Sequence, residues 1–332
     1  MSEVELCGIH VSAGEKKETF LDVTATKPPA SVQIPMTIIN GAKEGPTLAV
    51  IAGVHGTEYA GVEAAIRAAK EINPRTLNGT LVVVPAANWP ALYTRTVGVC
   101  PLDNVELFRA FPGNPDRSIT YVIASRIFND IVLKSDFVID LHGGEMIESK
   151  ANRCCWYVET GTEDTRKASK QLAIAFGLPN ILDTTMVMVG NDKWPGPSGT
   201  LLYEASSRDV PTIIGEAGGE GKIEEDSVAD LRNGIQNALI HIGMVKGKRK
   251  PSRKPTELTD LTGLVADSDG IFFSKVKTAE KVRKNQLIGE VKDIRGQRVQ
   301  ELLAPFNGLV HAQYCAPITR KGEPTIWFVR KR

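Results

Sequence analysis

Thr47-Leu48-Ala49-Val50-Ile51-Ala52 followed by Gly53-Val54-His55-Gly56-Thr57-Glu58 is the stretch that decides the fold. This apolar run makes a short buried strand, and Glu58 to Ile72 carries a helical pattern. The histidine and the carboxylate therefore stand three positions apart at a strand-to-helix junction. At such a junction both side chains can turn toward one point. A second apolar strand, Phe137-Val138-Ile139, runs into Asp140-Leu141-His142-Gly143-Gly144, again placing a histidine beside glycines. A strand-end histidine is often only a hydrogen-bonded structural residue, and a lone HxxE spacing is a weak signal. The glycines around both histidines alter that balance, because they permit tight turns and close backbone approach. Two His and one Glu, with a coordination position left for water, form the ligand set of a zinc hydrolase. His10, His241 and His311 lack this context and are read as surface or packing residues.

The chain has 332 residues, 40 basic and 39 acidic, for a net charge of +1. That balance argues against nucleic acid or a membrane surface as the main partner. The acidic start, Met1-Ser2-Glu3-Val4-Glu5, lacks the basic-then-apolar layout of a signal peptide. No apolar run approaches the ~20 residues that span a bilayer. Five cysteines, two of them adjacent at Cys154-Cys155, suggest no disulfide framework and fit a reducing, cytoplasmic setting.

Strands at Leu81-Val82-Val83-Val84, Phe137 to Leu141 and Thr212-Ile213-Ile214-Gly215 alternate with helical segments over 116–133, 165–176 and 224–242. Short apolar strands alternating with helices predict a layered α/β sheet covered on both faces. Residues 1–45 read as short strands broken at Pro28-Pro29 and Asn40-Gly41. Lys246 to Pro255 holds six positive charges, two prolines and a glycine, which makes a linker. Beyond it, short strands separated by turns predict a small all-β barrel or sandwich. The expected organisation is a catalytic domain over 1–245, a basic linker over 246–255 and a β domain over 256–332.

In order along the chain, four motifs resemble those of the succinylglutamate desuccinylase and aspartoacylase family, deacylases related in fold to zinc carboxypeptidases. Gly53 to Glu58 resembles its first metal motif and Asp140 to Gly144 its second. Phe111-Pro112-Gly113 fits its FPG turn, and Pro211 to Gly219 resembles the segment bearing its catalytic glutamate. The C-terminal segments Asn285 to Gly289 and Ala304 to Gly308 resemble its small β domain. That domain also resembles biotinyl and lipoyl carriers, but Lys275, Lys277 and Lys281 lack the flanking strand pattern of a modified lysine. It is expected to serve as structure or as a wall over the active site.

The resemblance implies one zinc per chain held by His55, Glu58 and His142, with Glu216 as the catalytic acid–base. It places Arg95 at the polarised carbonyl and Arg109 on a substrate carboxylate. Glu106, rather than Asp140, is the expected acceptor for a ring nitrogen of a metal-bound histidine. One position departs from the family: Phe108 stands where an amide precedes the conserved arginine. The substrate is therefore expected to be larger, more apolar or without an α-carboxylate, compared with an acyl-aspartate. Substrate contacts are also expected from Glu145-Met146 and from the loop Gly190 to Gly196. The function implied is hydrolysis of the amide of an N-acyl amino acid or related small N-acyl amine. A metallocarboxypeptidase, or an inactive binding module on the same fold, are the alternatives. The implied partner is a small-molecule substrate, with neither nucleic acid nor membrane, and a homo-oligomer is compatible with it.

Overall fold

The computed structural model of the chain describes residues 3–25, 31–150, 153–185, 187–189, 192–193, 198–250 and 254–332. Its strands include, in chain order, β1 (Glu15–Thr24), β2 (Ser31–Asn40), β3 (Lys43–Ala52), β4 (Asn78–Val84), β5 (Phe137–His142), β6 (Cys154–Tyr157), β7 (Asn180–Asp183), β8 (Thr212–Glu216), β9 (Thr256–Val265), β10 (Gly308–Tyr314) and β11 (Pro324–Lys331). Its helices are α1 (Tyr59–Glu71), α2 (Trp89–Thr94), α3 (Ile119–Asp130), α4 (Glu163–Phe176), α5 (Leu201–Ser206) and α6 (Glu225–His241). These strands lie in the sheet order β1-β2-β4-β3-β5-β8-β6-β7-β9-β11-β10. The central strands β4, β3, β5 and β8 are parallel.

Continuous apolar runs are what such a sheet requires, because both its faces are covered. Ala49 and Ile51 of β3 enter one core with α3, while Leu48, Val50 and Ala52 enter the other with α1, α4 and α6. Val82 and Val84 of β4 divide from Leu81 and Val83 in the same way. The layered α/β fold expected from the sequence is the one observed. Helix bounds differ by one to three residues at the ends, where capping rather than periodicity decides; α4 starts two residues early because Thr162 caps it.

The C-terminal β region is a sandwich. A four-stranded sheet (Gly270–Ser274, Leu287–Lys292, Arg298–Leu303 and Ile318–Thr319) packs through Phe272, Ile288 and Val291 on Val310, Ile326 and Phe328. The other layer, β9 to β11, extends the catalytic sheet: β9 pairs in parallel with β7, Asn180 facing Thr256 and Leu182 facing Leu258. An otherwise open edge at β7 is thereby closed. β10 also pairs with Glu148–Lys150, just past the second histidine, through Tyr314↔Glu148 and Gln313↔Ser149. These two pairings set the β region against the ends of β5, β6 and β8.

Phe176, 1% exposed at the end of α4, packs where β8 and α6 come closest. A Cβ at Gly215 would sit 2.7 Å from its ring, and one at Gly234 only 2.2 Å away. Glycine in a helix interior ordinarily costs about 1 kcal/mol relative to alanine. Overpacking a core costs about 1–3 kcal/mol, and a contact this short puts Gly234 at the upper end. Gly234→Ala should therefore lower Tm although it raises helix propensity, and adding Phe176→Leu should recover part of the loss in the same thermal melt.

Candidate active site

The site forms where β3, β5 and β8 end together. Gly53, with φ +65°, turns the chain out of β3. Glu58 then occupies the N-cap of α1 but caps nothing, making no side-chain bond to its own helix. A capping bond contributes about 1 kcal/mol, and here the carboxylate is spent elsewhere. Its Oε1 lies 2.9 Å from His55 Nδ1 and its Oε2 2.9 Å from His142 Nδ1. Gly143 donates its backbone N–H to the same Oε2 at 3.1 Å. A side chain at Gly143 is excluded, since its Cβ would meet the Ala217 carbonyl oxygen at 2.6 Å.

Each of His55, Glu58 and His142 offers a ligand atom within 4.8 Å of the others, the one such group among the described residues. Two imidazoles and a carboxylate fit zinc in donor type and number. Burial alone would push the Glu58 carboxyl up, but His55 and His142 hold it well below the usual range. Burial disfavours a charged His142, yet Asp140 and then Glu58 carry it up to about 9. His55 is raised too, Glu58 overcoming the opposing effect of burial. A cluster that draws protons onto both imidazoles in this way equally attracts a divalent cation.

Glu216 ends β8 directly beside His142, the two paired in register on parallel strands. Period-two alternation sends Ile214 and Glu216 into the cleft and Gly215 to the opposite face, against Phe176. Phe108 faces both imidazoles, with ring centroids 5.1 Å from His55 and 5.4 Å from His142. It is the apolar wall expected from the departure in the motif.

The remaining predicted residues divide. Glu106 lines the cleft but its Oε1 stands 3.8 Å from His55 Nε2, beyond hydrogen-bond length. Asp140 instead places Oδ2 3.0 Å from His142 Nε2 and is fully buried. The acid set against a histidine is thus Asp140, because residues i and i+2 of a strand share a face. Arg109 is not among the cleft-lining residues: its guanidinium donates to the Ser198 carbonyl at 3.2 Å and lies 5.4 Å from the Phe108 ring centroid. Arg95 closes α2 at φ +58° and lies exposed in a neighbouring groove with Tyr59, Tyr93 and Ile223. A left-handed cap residue turns the chain, and here the turn delivers Val97 and Gly98 to the cleft in its place. Glu145 lines the cleft, accepting from Gly98 N at 2.9 Å and Thr57 Oγ1 at 3.2 Å, whereas Met146 does not line it. Burial, seconded by Glu58, pushes the Glu145 carboxyl up, against the pull of His55. Most of Gly190 to Gly196 lies outside the described residues.

The cleft holds about 410 Å³, and its far wall is the C-terminal region: Leu261, His311, Ala312, Tyr314, Glu323 and Trp327. A wall here is one of the two roles expected for this region, but His311, read from the sequence as a surface or packing residue, is 2% exposed and lines the cleft. The signal was a histidine in an otherwise apolar strand, Leu309-Val310-His311-Ala312. His10, paired with exposed Glu3, and exposed His241 lie elsewhere on the surface.

Residues 44–242 match the family described as succinylglutamate desuccinylase/aspartoacylase catalytic domain. The chain is also 30% identical over 269 residues to N-alpha-acetyl-L-2,4-diaminobutyric acid deacetylase of Halomonas elongata, covering 80% of this chain and 75% of that one. The chain belongs to the succinylglutamate desuccinylase/aspartoacylase family. Membership places it among hydrolases of N-acyl amides. Two solved structures share its fold. The succinylglutamate desuccinylase/aspartoacylase of Rhodobacter sphaeroides has a TM-score of 0.84 at 21% identity, covering 97% of this chain and 98% of its own. The product-bound ectoine utilization protein EutE (DoeB) of Ruegeria pomeroyi has a TM-score of 0.84 at 24% identity, covering 96% and 97%.

Partners of metal-bound histidines typically account for about 10–100-fold in metal affinity. Asp140→Asn should weaken zinc binding by an amount in that range, while Glu106→Gln changes it less than threefold (about 0.6 kcal/mol). Competition against a chromophoric chelator measures both, and the reverse order would return the role to Glu106.

Proposed function

We propose that this protein is a zinc-dependent amidohydrolase that removes the acyl group from a small N-acyl amino acid, working in a reducing, cytoplasmic setting. The observation that carries this reading is the juxtaposition of Glu216 with His142 at the paired ends of β8 and β5, inside a cleft that also holds His55 and Glu58. None of the five cysteines is in a disulfide, and among the described residues no helix is long and apolar enough to cross a membrane.

His55, Glu58 and His142 would hold the metal. When bound, zinc supplies Lewis acidity, drawing charge from the scissile carbonyl and making water a competent nucleophile near neutral pH. Glu216 accepts the proton of the attacking water and delivers it to the leaving amine, a role that needs only hydrogen-bond reach and a buried carboxylate. Phe108 shields the imidazoles and excludes solvent from the metal side of the cleft.

Charge in the cleft narrows the substrate. Glu106, Glu145, Glu148 and Glu323 line it in addition to Glu58 and Glu216, and no described lysine or arginine does. Such a lining favours a substrate bearing a cation and disfavours one with an extra carboxylate. The Halomonas relative is named for a substrate with two amino groups, one acetylated. We extend that class to this chain: an N-acyl amino acid with a second, free amine.

Purified protein should contain about one zinc per chain, and elemental analysis of His142→Ala should show it lost. Glu216→Gln should keep metal and fold while losing about 10²–10⁴-fold in turnover. In a deacylation screen, kcat/KM for N-acetyl-2,4-diaminobutyrate should exceed that for N-acetylaspartate at least tenfold (about 1.4 kcal/mol). Preference for the aspartate derivative would overturn the cationic substrate, and near-normal turnover by Glu216→Gln would overturn the base.

A further inference from the structure

His311 lies in the cleft although it comes from β10, in the C-terminal sandwich. The pairing of β10 with β11 slips between Val310↔Phe328 and Ala312↔Trp327, leaving His311 as the extra residue of a bulge. Bulges re-aim a side chain and recur beside active sites. This one turns an imidazole inward from a strand whose neighbours Leu309, Val310 and Ala312 are all buried. Its backbone is fixed from the other side too, since β10 pairs with Glu148–Lys150 and Cys315 N donates to the Ile147 carbonyl at 2.8 Å.

Among the described residues, neither ring nitrogen of His311 makes a hydrogen bond, and the side chain is 2% exposed. Leaving a polar group buried and unsatisfied costs about 1–3 kcal/mol. A leucine would fill such a place in a strand without that cost, so packing does not account for an imidazole. The polar group it faces is Glu216, with Nε2 3.8 Å from Oε2. Trp156 lies beside it, ring centroids 6.1 Å apart.

We infer that His311 is a positioning residue for Glu216, supplied by the C-terminal region and aimed by the β10 bulge. With the proton on Nε2, the imidazole directs an N–H at Oε2 and limits the rotation of the carboxylate. The gap exceeds the 2.7–3.2 Å of a formed bond, and closure of under an ångström, or one bridging water, completes the contact. The inference rests on Glu216 as the base. It makes the C-terminal region part of the reacting geometry, where the sequence suggested structure or a wall.

The test compares His311→Leu, which removes the donor, with His311→Gln, whose amide N–H reaches about as far as Nε2. The substrate is the one that wild type turns over best in the deacylation screen. His311→Leu should lower kcat by about ten- to a hundredfold, the scale of a misplaced catalytic group. KM should stay within about threefold, with zinc content and Tm close to wild type, and His311→Gln should recover most of kcat. In a Glu216→Gln background His311→Leu should add nothing, as expected for residues acting as one unit. Wild-type kcat in His311→Leu, a rise in KM with kcat intact, equal losses in both variants, or full additivity with Glu216→Gln would each overturn the inference. An active Glu216→Gln enzyme would instead remove the base assignment, and the role of His311 with it.

Discussion

A carboxylate taken almost wholly out of water, Glu58, is the constraint around which this structure is arranged. Burying an ionised carboxyl costs several kcal/mol unless charge and hydrogen bonds surround it. Here the compensation comes from three directions: Nδ1 of His55, Nδ1 of His142 and the backbone N–H of Gly143. None of these is local to α1 apart from His55. The others arrive from β5 only because β3 and β5 are paired and end at the same level, Ala52 facing Leu141. The glycines follow from the same demand, since a side chain at Gly143 would strike the Ala217 carbonyl. Forgoing the helix cap is a local sacrifice of the kind that marks functional residues.

The same ladder fixes Glu216, the proposed base. Glu216 is one hydrogen-bonded strand away from His142, so the distance between the two side chains is set by strand spacing rather than by loop conformation. Sites built on rigid elements hold their geometry better than sites on loops. The opposite wall is more distant in sequence but no looser. Strand pairing at β7–β9 and at Glu148–Lys150 ties the C-terminal sandwich to the catalytic sheet.

What was legible in the sequence was whatever depended on local period or on short-range spacing. The apolar runs of β3, β4, β5 and β8 announced a doubly covered sheet, and HxxE beside glycines announced the grouping of His55 and Glu58 with His142. The resemblance to the family supplied Glu216, whose place at a strand end the structure then provides. The choice between Glu106 and Asp140 could not be made from the family's motif, because it turns on which ring nitrogen faces which acid. Strand geometry, with i and i+2 on one face, was the better guide, and it favoured Asp140. Arg95 stands outside the cleft for a related reason: its motif lies near the cleft in sequence, but Arg95 is itself the left-handed cap residue at which the chain turns before reaching it. His311 reads in the sequence as a surface or packing residue because a regular strand predicts alternation, and a bulge is where alternation breaks.

Net charge was the least informative of the bulk properties, and the structure shows why. A balance of 40 basic against 39 acidic residues describes the whole surface, whereas the cleft concentrates six glutamates with no described lysine or arginine among its lining residues. A field of that kind arises from placement, and averaging over 332 residues erases it. On the proposed reading, a bound divalent cation would offset two of those charges and Glu216 would act as the base, leaving the outer glutamates to face the substrate. An amine cation would then meet carboxylates alone among the charged lining residues, with no described lysine or arginine there to repel it. Arg109, turned to the Ser198 carbonyl and the Phe108 ring, stands outside that acidic lining.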